Sequence, residues 1–122
     1  MQYSAQCLAY MGDAVFELYV RKMLLSGGSR STNKLHGQAR QYVSAPAQAA
    51  MYHHIEDSLT TEELAIMRRG RNQKKTGTTD YRHATGLEAL FGHLFLTEQH
   101  SRIAEIFEIC TEIGEECEQQ KT

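Results

Sequence analysis

A chain of 122 residues has room for one hydrophobic core, so the sequence predicts a single domain over residues 1–122. Hydrophobic residues make up 41% of the chain and charged residues 23%, an ordinary globular composition that excludes a disordered or membrane-embedded chain. No apolar run approaches the roughly 18 residues of a membrane span, and the N-terminus lacks the basic region of a signal peptide, so we expect a cytoplasmic protein with no membrane partner.

The charges are unevenly distributed, although the net charge is only −2. Between Arg68 and His83 six basic residues stand against one acid, whereas from Glu98 onward seven acids stand against two basic residues. An acidic segment does not cancel a basic one that lies farther away than the Debye length of about 8–10 Å. Residues 68–83 therefore provide the local positive charge that contact with nucleic-acid phosphates requires.

Three helices are predicted before residue 60, from repeated i, i+3, i+4 apolar spacing. The first, about Ala5 to Leu25, is apolar nearly all round and is expected to be central. Its main stripe consists of Leu8, Met11, Val15, Leu18 and Leu25. A second helix is predicted over about Thr32 to Tyr42, and a third follows Ser44, which is a plausible N-cap.

Three more helices are predicted after residue 60. Thr60 and Glu63 form a capping box for a fourth helix that ends near Gly70. Residues 71–82 are polar and basic without periodicity and predict a mobile basic loop. A fifth helix, about residues 83–97, is apolar nearly all round, and a sixth, from Ser101, carries an acidic face before a tail at about residues 116–122. The predicted fold class is all-α, with about six helices around one core.

Neither the cysteines nor the histidines show the spacing of a zinc site. The three cysteines are odd in number and include no C-x-x-C pair, and the six histidines include no H-x-x-x-H pair. We therefore expect reduced thiols in the core rather than disulfides or bound zinc.

Asp13 and Glu88 are the informative exceptions to the apolar pattern, since each lies in one of the two most hydrophobic helices. Small neighbours such as Gly12 and Gly92 let another helix or an ion approach closely. A desolvated carboxylate is costly unless it is paired or coordinates a metal, and a divalent cation shared by both acids would satisfy that requirement. The alternative from the pattern alone is that each acid is a salt-bridge or capping partner.

The segments around these acids resemble the signature helices of the ribonuclease III family. Residues 8–15 (LAYMGDAV) are similar to the helix that supplies the family's metal-binding aspartate, and residues 85–92 (TGLEALFG) to the later helix whose glutamate binds the same metal. Residues 36–50 resemble the family's intervening helix-loop-helix with its Val-Ser pair. Because order and spacing agree over nearly the whole chain, it is identified as a member of this family.

The chain is similar to the Mini-III branch of the family, because it consists of the endonuclease domain without the usual double-stranded-RNA-binding domain. Residues 69–72 and 81–82 also resemble that branch. The resemblance implies a dimeric, Mg²⁺-dependent endoribonuclease, with Mn²⁺ as a substitute ion, that trims double-helical stems of large-subunit ribosomal RNA precursors in bacteria. A metal-activated water would attack the phosphodiester and leave 5′-phosphate and 3′-hydroxyl ends.

The chain departs from the family at two positions where ribonuclease III usually has further acids, which here are Ala9 and Thr85. We therefore expect Asp13 and Glu88 to hold the metal, with Thr85 contributing at most through a bridged water. Glu17 either joins this site or forms an i,i+4 pair with Arg21, and the pair is the favoured interpretation.

Contacts to RNA and to a second subunit are also expected from the resemblance. The basic residues expected to contact duplex RNA are Arg68, Arg69, Arg71, Lys74, Lys75 and Arg82. Tyr10 occupies the position at which the family has an aromatic side chain that plugs a socket on the partner subunit, with ordinary core packing as the alternative. His83 either touches RNA or is a surface residue.

Two other functions compete with a nuclease. A relative that has lost two acids would bind structured RNA without cutting it, and burial of both remaining acids would argue against that alternative. A helical scaffold in which the acids are merely paired would show no dependence of stability on metal.

Overall fold

Six α-helices form the chain in a computed structural model that describes the backbone of residues 2–73 and 76–120, with side chains up to residue 112. The helices are α1 Ala5–Leu25, α2 Thr32–Val43, α3 Ala45–Ile55, α4 Thr61–Gln73, α5 Thr79–Leu96 and α6 His100–Gln120. A 3₁₀ turn, Glu56–Ser58, follows α3, and the described ranges contain no strand. The predicted all-α class with six helices is therefore confirmed. Lys74, Lys75, Cys117 and the predicted tail lie outside the residues whose side chains are described.

Side-chain caps explain where the helices begin. The hydroxyl of Ser44 accepts a hydrogen bond from the amide of Ala47 at 3.4 Å, and Pro46 lies in the first turn, where its missing N–H costs nothing. Thr60 and Glu63 form the predicted capping box: the Thr60 amide donates to the Glu63 carboxylate at 2.9 Å, and the Glu63 amide donates to the Thr60 hydroxyl at 3.1 Å. The predicted caps at both helices are confirmed.

Helix α5 lies at the centre of the fold and packs against α1, α3 and α4. Its buried residues are Ala84, Thr85, Gly86, Leu87, Ala89, Leu90, Phe91, Gly92 and Leu94. Phe16 of α1 packs edge to face on Phe91 and Phe107, with ring centroids 5.3 and 5.7 Å apart, which joins α1, α5 and α6 in one core. The fifth helix, predicted to be apolar nearly all round, is buried along most of its length. None of the described helices is long and apolar enough to cross a membrane.

Helix α1 packs against α5 along one face and is exposed on another, so it is not enclosed on all sides as the prediction of a central helix implied. Leu18 and Leu25, which the periodicity placed on the buried stripe, are 62% and 55% exposed. The buried face instead runs through Ala5, Leu8, Ala9, Gly12, Val15, Phe16 and Val20. Small residues at Ala9 and Gly12 let α1 approach α5 closely, and this approach sets the rotation of α1 about its axis.

The predicted basic loop is shorter than expected at both ends. Helix α4 continues past Gly70 to Gln73, and α5 begins at Thr79, so residues 71–73 and 79–82 are helical. Gly70 does not end α4; it lies against Gly86 and Ala89, where a Cβ atom would lie 2.7 Å from the Ala89 side chain. The hydroxyl of Thr78 caps α5 by accepting from the amide of residue 81 at 3.1 Å.

A partly buried ion pair fastens α6 to α4. The guanidinium of Arg102 donates to both carboxylate oxygens of Glu63 at 2.9 Å and to the Ser58 carbonyl at 2.8 Å. Hydrogen bonds from Arg102 hold the pKa of Glu63 below its usual value. The pair is bidentate and Glu63 is buried, so it contributes more than an exposed ion pair does.

The cysteines only partly follow expectation. Cys110 is buried in the core, and burial raises the pKa of its thiol, so it stays protonated and inert. Cys7 is exposed on α1, so the prediction of a core thiol is wrong there. The reason is again the rotation of α1, which turns the face with Cys7 away from α5.

Candidate active site

Two glycines bring α1 and α5 into direct backbone contact. A Cβ atom on Gly12 would lie 2.5 Å from the carbonyl carbon of Glu88 and 2.9 Å from the amide nitrogen of Gly92. A Cβ atom on Gly92 would lie 2.8 Å from the carbonyl carbon of Leu8. Real Cβ atoms do not approach backbone this closely, so only glycine fits at either position. Asp13 follows Gly12 directly, and the crossing therefore brings it beside Glu88.

Asp13 and Glu88 line one open concavity of about 380 Å³. Helix α1 contributes Gln6, Ala9, Tyr10 and Asp13, and α5 contributes Tyr81, Thr85 and Glu88. Residues 81, 85 and 88 have the i, i+4, i+7 spacing of one helix face, as do residues 6, 9, 10 and 13. The structure therefore brings together the two acids that the sequence singled out, one from each helix.

Both acids are accessible to solvent, so the prediction that their carboxylates are desolvated is wrong. Asp13 is exposed and Glu88 is half-buried, so neither carboxylate is desolvated among apolar groups. The argument that a non-catalytic relative would not bury both acids therefore fails. The same exposure leaves both carboxylates open to a ligand that enters the concavity.

Thr85 and Ala9 occupy the two positions at which the family usually has further acids. Thr85 is buried, and its hydroxyl donates a hydrogen bond to the carbonyl of Tyr81 at 3.0 Å. That bond uses the hydroxyl proton and leaves only oxygen lone pairs to face a water. Ala9 presents a methyl group. Among the described residues that line the concavity, the charged ones are therefore Asp13 and Glu88.

Glu17 does not join the concavity. Its carboxylate lies 3.8 Å from the guanidinium of Arg21, the i,i+4 pair that the sequence favoured, and both side chains are largely exposed. Glu17 lines a separate apolar groove between α1 and α2 together with Leu24 and Leu35. The favoured interpretation of Glu17 is confirmed.

The donor set of the concavity suits a hard divalent cation. Mg²⁺ binds through one or two carboxylates and keeps several waters, which two carboxylates on facing helices allow. Among the residues that the structure describes, no group of three or more His, Cys, Asp and Glu side chains is placed to hold a metal. A cation held by Asp13 and Glu88 would therefore complete its coordination with water or substrate oxygens.

The four described arginines of the basic set lie outside the lining of the concavity. Arg68 is exposed on α4. Arg69 donates to the carbonyl of Tyr3 at 3.3 Å and lines a separate groove with Glu62 and His93. Placement of Arg69 in that groove separates it from the carboxylate pair.

Arg71 and Arg82 are both half-buried. The Nε atom of Arg71 donates to the Asn72 side chain at 3.0 Å, and a guanidinium nitrogen of Arg82 approaches the carbonyl of Gly77 at 3.5 Å. Arg71 also lies near the buried hydroxyl of Tyr52. Burial raises the pKa of that hydroxyl, and the positive charge of Arg71 partly offsets the increase. Part of the role of Arg71 is therefore structural.

His83 lies on the α3 side of α5, away from the carboxylate pair. Its Nδ1 atom is 2.8 Å from the carbonyl of Thr79, so this nitrogen carries the proton and donates it. The ring packs against those of His53 and Tyr52, with centroids 4.5 and 4.7 Å away. These contacts fix the orientation of His83 within an aromatic cluster.

Gln6 and Tyr81 line the concavity and were not predicted as site residues. A signal for both was present in the sequence, since Gln6 precedes Asp13 by seven residues and Tyr81 precedes Glu88 by seven. Residues two helical turns apart share a face. Heptad spacing from each acid would therefore have identified both.

Tyr10 also lines the concavity. It is 83% exposed and therefore not a core residue, so the core-packing alternative for Tyr10 is wrong.

Comparisons with known proteins agree with this arrangement. Residues 6–99 match the ribonuclease III domain. A protein named Mini-ribonuclease 3 from Symbiobacterium thermophilum is 42% identical over 114 residues, covering 88% of each chain. Another from Enterococcus faecalis is 42% identical over 123 residues and covers 93% of each chain.

A solved structure is similar as well. The crystal structure of a protein from Fusobacterium nucleatum superposes with a TM-score of 0.81 at 31% sequence identity, covering 91% of this chain and 93% of that one. The domain match includes both signature helices and the whole carboxylate pair. The chain therefore belongs to the ribonuclease III family of endoribonucleases, in its Mini-ribonuclease 3 branch.

Proposed function

We propose that the chain cleaves double-stranded RNA with Mg²⁺, or Mn²⁺ as a substitute, held between Asp13 and Glu88. The observation that supports this proposal is the pairing of these two carboxylates, one from α1 and one from α5, in a concavity open to solvent. The chain has the donor set for a hard cation and leaves the remaining coordination positions to water and phosphate oxygens.

The chemistry needs no nucleophilic side chain. A bound divalent cation supplies a water of lowered pKa and neutralises negative charge on the phosphate and on the leaving oxygen. Asp13 from α1 and Glu88 from α5 would hold the cation, and the Thr85 hydroxyl oxygen would be able to accept a hydrogen bond from a water. Products would carry 5′-phosphate and 3′-hydroxyl ends.

The substrate is proposed to be a stem of a large-subunit ribosomal RNA precursor in the bacterial cytoplasm. Support comes from the bacterial relatives named Mini-ribonuclease 3 and from the concentration of basic residues between positions 68 and 83. We propose that the six basic residues named above, Lys74 and Lys75 among them, contact phosphates of the duplex, which proteins recognise by shape, phosphates and 2′-hydroxyls.

A homodimer is proposed as the active form. Tyr10, Leu18 and Leu25 lie about two turns apart along α1 and are 83%, 62% and 55% exposed. Burying them against a second copy, with Tyr10 in a socket of the partner, would remove this surface from water. Two-fold symmetry would give each strand of the duplex its own carboxylate pair.

Cleavage of a long uniform RNA duplex with and without Mg²⁺ tests the proposal, using Asp13→Asn and a Glu17→Gln control. Glu17 is an acid one turn from Asp13 that lies outside the concavity, so its variant measures the effect of merely losing a charge on α1. We expect Asp13→Asn to lower the rate at least about 100-fold and Glu17→Gln to leave it near that of the wild type.

The second candidate function, a non-catalytic module that binds structured RNA, is favoured by the two missing acids at Ala9 and Thr85. Tight binding of duplex without cleavage at any Mg²⁺ concentration would establish it. An Asp13→Asn protein that cuts as fast as the wild type would refute the assignment of the metal site.

A further inference from the structure

We propose that Gly86 is a positioning residue: by fixing the separation of α4 and α5, it places Arg71 to contact a phosphate of the duplex bound at the carboxylate pair. The inference rests on the proposed function, because it assumes that the chain binds duplex RNA at this pair. It assigns a role in substrate binding to a residue that lies outside the concavity and carries no side chain.

Glycines lie on both sides of the crossing between α4 and α5. A Cβ atom on Gly86 of α5 would lie 2.6 Å from the carbonyl oxygen of Met67 and 3.2 Å from the amide nitrogen of Arg71, both in the backbone of α4. A Cβ atom on Gly70 of α4 would lie 2.7 Å from the methyl group of Ala89. Helices that meet through glycine approach more closely than helices that meet through larger side chains, so these two glycines set the separation.

Helix α5 connects this crossing with the carboxylate pair. Gly86 faces α4, whereas Glu88, two residues later, lines the concavity with Asp13 of α1. Both residues lie well inside one continuous helix, Thr79–Leu96. The contact at Gly86 therefore fixes the α4 backbone at Arg71 relative to the carboxylate pair.

Arg71 has little freedom to compensate for a shift of its backbone. Its side chain is half-buried, and its Nε atom donates to the side chain of Asn72 at 3.0 Å. Its charge opposes the rise that burial causes in the pKa of Tyr52, so the guanidinium lies near that buried hydroxyl. The ring of Tyr52 itself packs on Gly86, where a Cβ atom would lie 2.9 Å from its Cε2 atom. Arg68, one turn earlier on α4, is exposed and can follow a phosphate that moves slightly.

The charges of the described residues indicate why a contact at Arg71 matters. Those that line the concavity include two charged side chains, Asp13 and Glu88, and both are negative. Positive charge for a duplex that extends beyond the concavity must come from neighbouring elements, and α4 carries three arginines. Arg69 lies in a separate groove, which leaves Arg68 and Arg71 as the arginines of α4 for phosphate contact.

Gly86→Ala tests the positioning role, with Gly37→Ala as the matched control. Gly37 lies in α2 with nothing within 4 Å of a Cβ atom. The measurements are the Kd for a long uniform RNA duplex without metal over a range of salt, and KM and kcat with Mg²⁺. In Gly86→Ala we expect Kd and KM to rise about tenfold and the slope of log Kd against log salt to fall by about 1, with kcat near that of the wild type. Gly37→Ala should change none of these values.

Two double-mutant cycles distinguish positioning of Arg71 from a general structural effect. Arg71→Gln should raise Kd about tenfold in the wild-type chain but little in Gly86→Ala, because the contact is already lost there. Arg68→Gln should raise Kd by the same factor in both backgrounds, because the exposed Arg68 side chain keeps its contact. If Gly86 acted only on stability, the two cycles would give the same result.

Gly70→Ala is a second variant that separates the same helices. Its Cβ atom would meet the methyl group of Ala89 at 2.7 Å and the Cα atom of Gly86 at 3.0 Å. We expect it to raise Kd in the same way, and the added change Ala89→Gly to recover part of the affinity by removing the obstructing methyl group. If urea titrations show that Gly86→Ala does not fold, the result with Gly70→Ala decides the question.

The outcomes separate this inference from the proposed function. If the wild type cuts duplex while Gly86→Ala and Gly70→Ala match Gly37→Ala in Kd and salt slope, the positioning role is refuted and the nuclease function stands. A lower kcat with unchanged Kd would also refute it, because the crossing would then support the carboxylate pair rather than Arg71. A wild type that binds duplex but does not cut it under any divalent ion overturns the proposed function, and the Kd cycles still decide the role of Gly86.

Discussion

Replacing Gly12 by alanine tests whether the backbone contact between α1 and α5 holds the carboxylate pair together. The added Cβ atom would lie 2.5 Å from the Glu88 carbonyl carbon and 2.9 Å from the Gly92 nitrogen. Both obstructing groups belong to helix backbone, which cannot rotate aside as a side chain can. Helix α1 must therefore move away from α5 and carry Asp13 with it.

The expected loss of stability follows from two opposing terms. Overpacking costs about 1–3 kcal/mol, and backbone on both sides places Gly12 near 3 kcal/mol. The better helix propensity of alanine offsets about 1 kcal/mol. The free energy of unfolding should fall by about 2 kcal/mol, which lowers Tm by about 8 °C in a domain of this size.

Denaturant unfolding at one fixed protein concentration measures this loss, with Gly37→Ala as the control. Gly37 lies in α2 with nothing within 4 Å of a Cβ atom, so its variant should gain up to about 1 kcal/mol from helix propensity. Cleavage by Gly12→Ala should also fall, because its two carboxylates move apart. A Gly12→Ala protein as stable as Gly37→Ala would refute the reasoning.

Three further predictions concern charge and assembly. Hydrogen bonds from Arg102 lower the pKa of Glu63, so the pair stabilises the fold above the unfolded pKa of about 4.5 and loses that contribution as pH falls through the folded pKa. Glu63→Gln should therefore cost stability at pH 7, and the cost measured in urea titrations should shrink as the pH is lowered below 4.5. Neutralising Lys74 and Lys75 should lower the slope of log Kd against log salt for duplex RNA by about 2, and an unchanged slope would exclude phosphate contacts there. Tyr10→Ser should shift sedimentation from dimer towards monomer, whereas an unchanged profile would remove Tyr10 from the interface.

The sequence singled out two acids that the structure brings together, although one premise of that choice is wrong. Asp13 and Glu88 interrupt apolar helices, a pattern that predicts burial, whereas both reach solvent. The error arises because the apolar face of a helix can be read from periodicity only when one face is polar, and α1 has apolar residues on every side. Resemblance to the family, which depends on local sequence, identified the pair independently of burial.

The basic segment shows a second limit of sequence reasoning. Gly70 resembles a helix end in the sequence, yet α4 continues to Gln73, and the glycine instead allows close contact with Gly86 and Ala89. A glycine that ends a helix and one that allows a close helix crossing look alike in a sequence. Only the neighbouring helix distinguishes the two.

Helix positions, caps and the all-α class follow from the sequence alone, because they depend on neighbours within a few residues: Thr60 with Glu63, and Ser44 with the turn that follows it. The exposed face of α1, and with it the open concavity, follows only from tertiary structure. It depends on Gly12 and its contact with the backbone of α5, far away in the chain. Local preferences are recorded in short stretches of sequence, whereas the rotation of one helix against another is set by which surfaces fit.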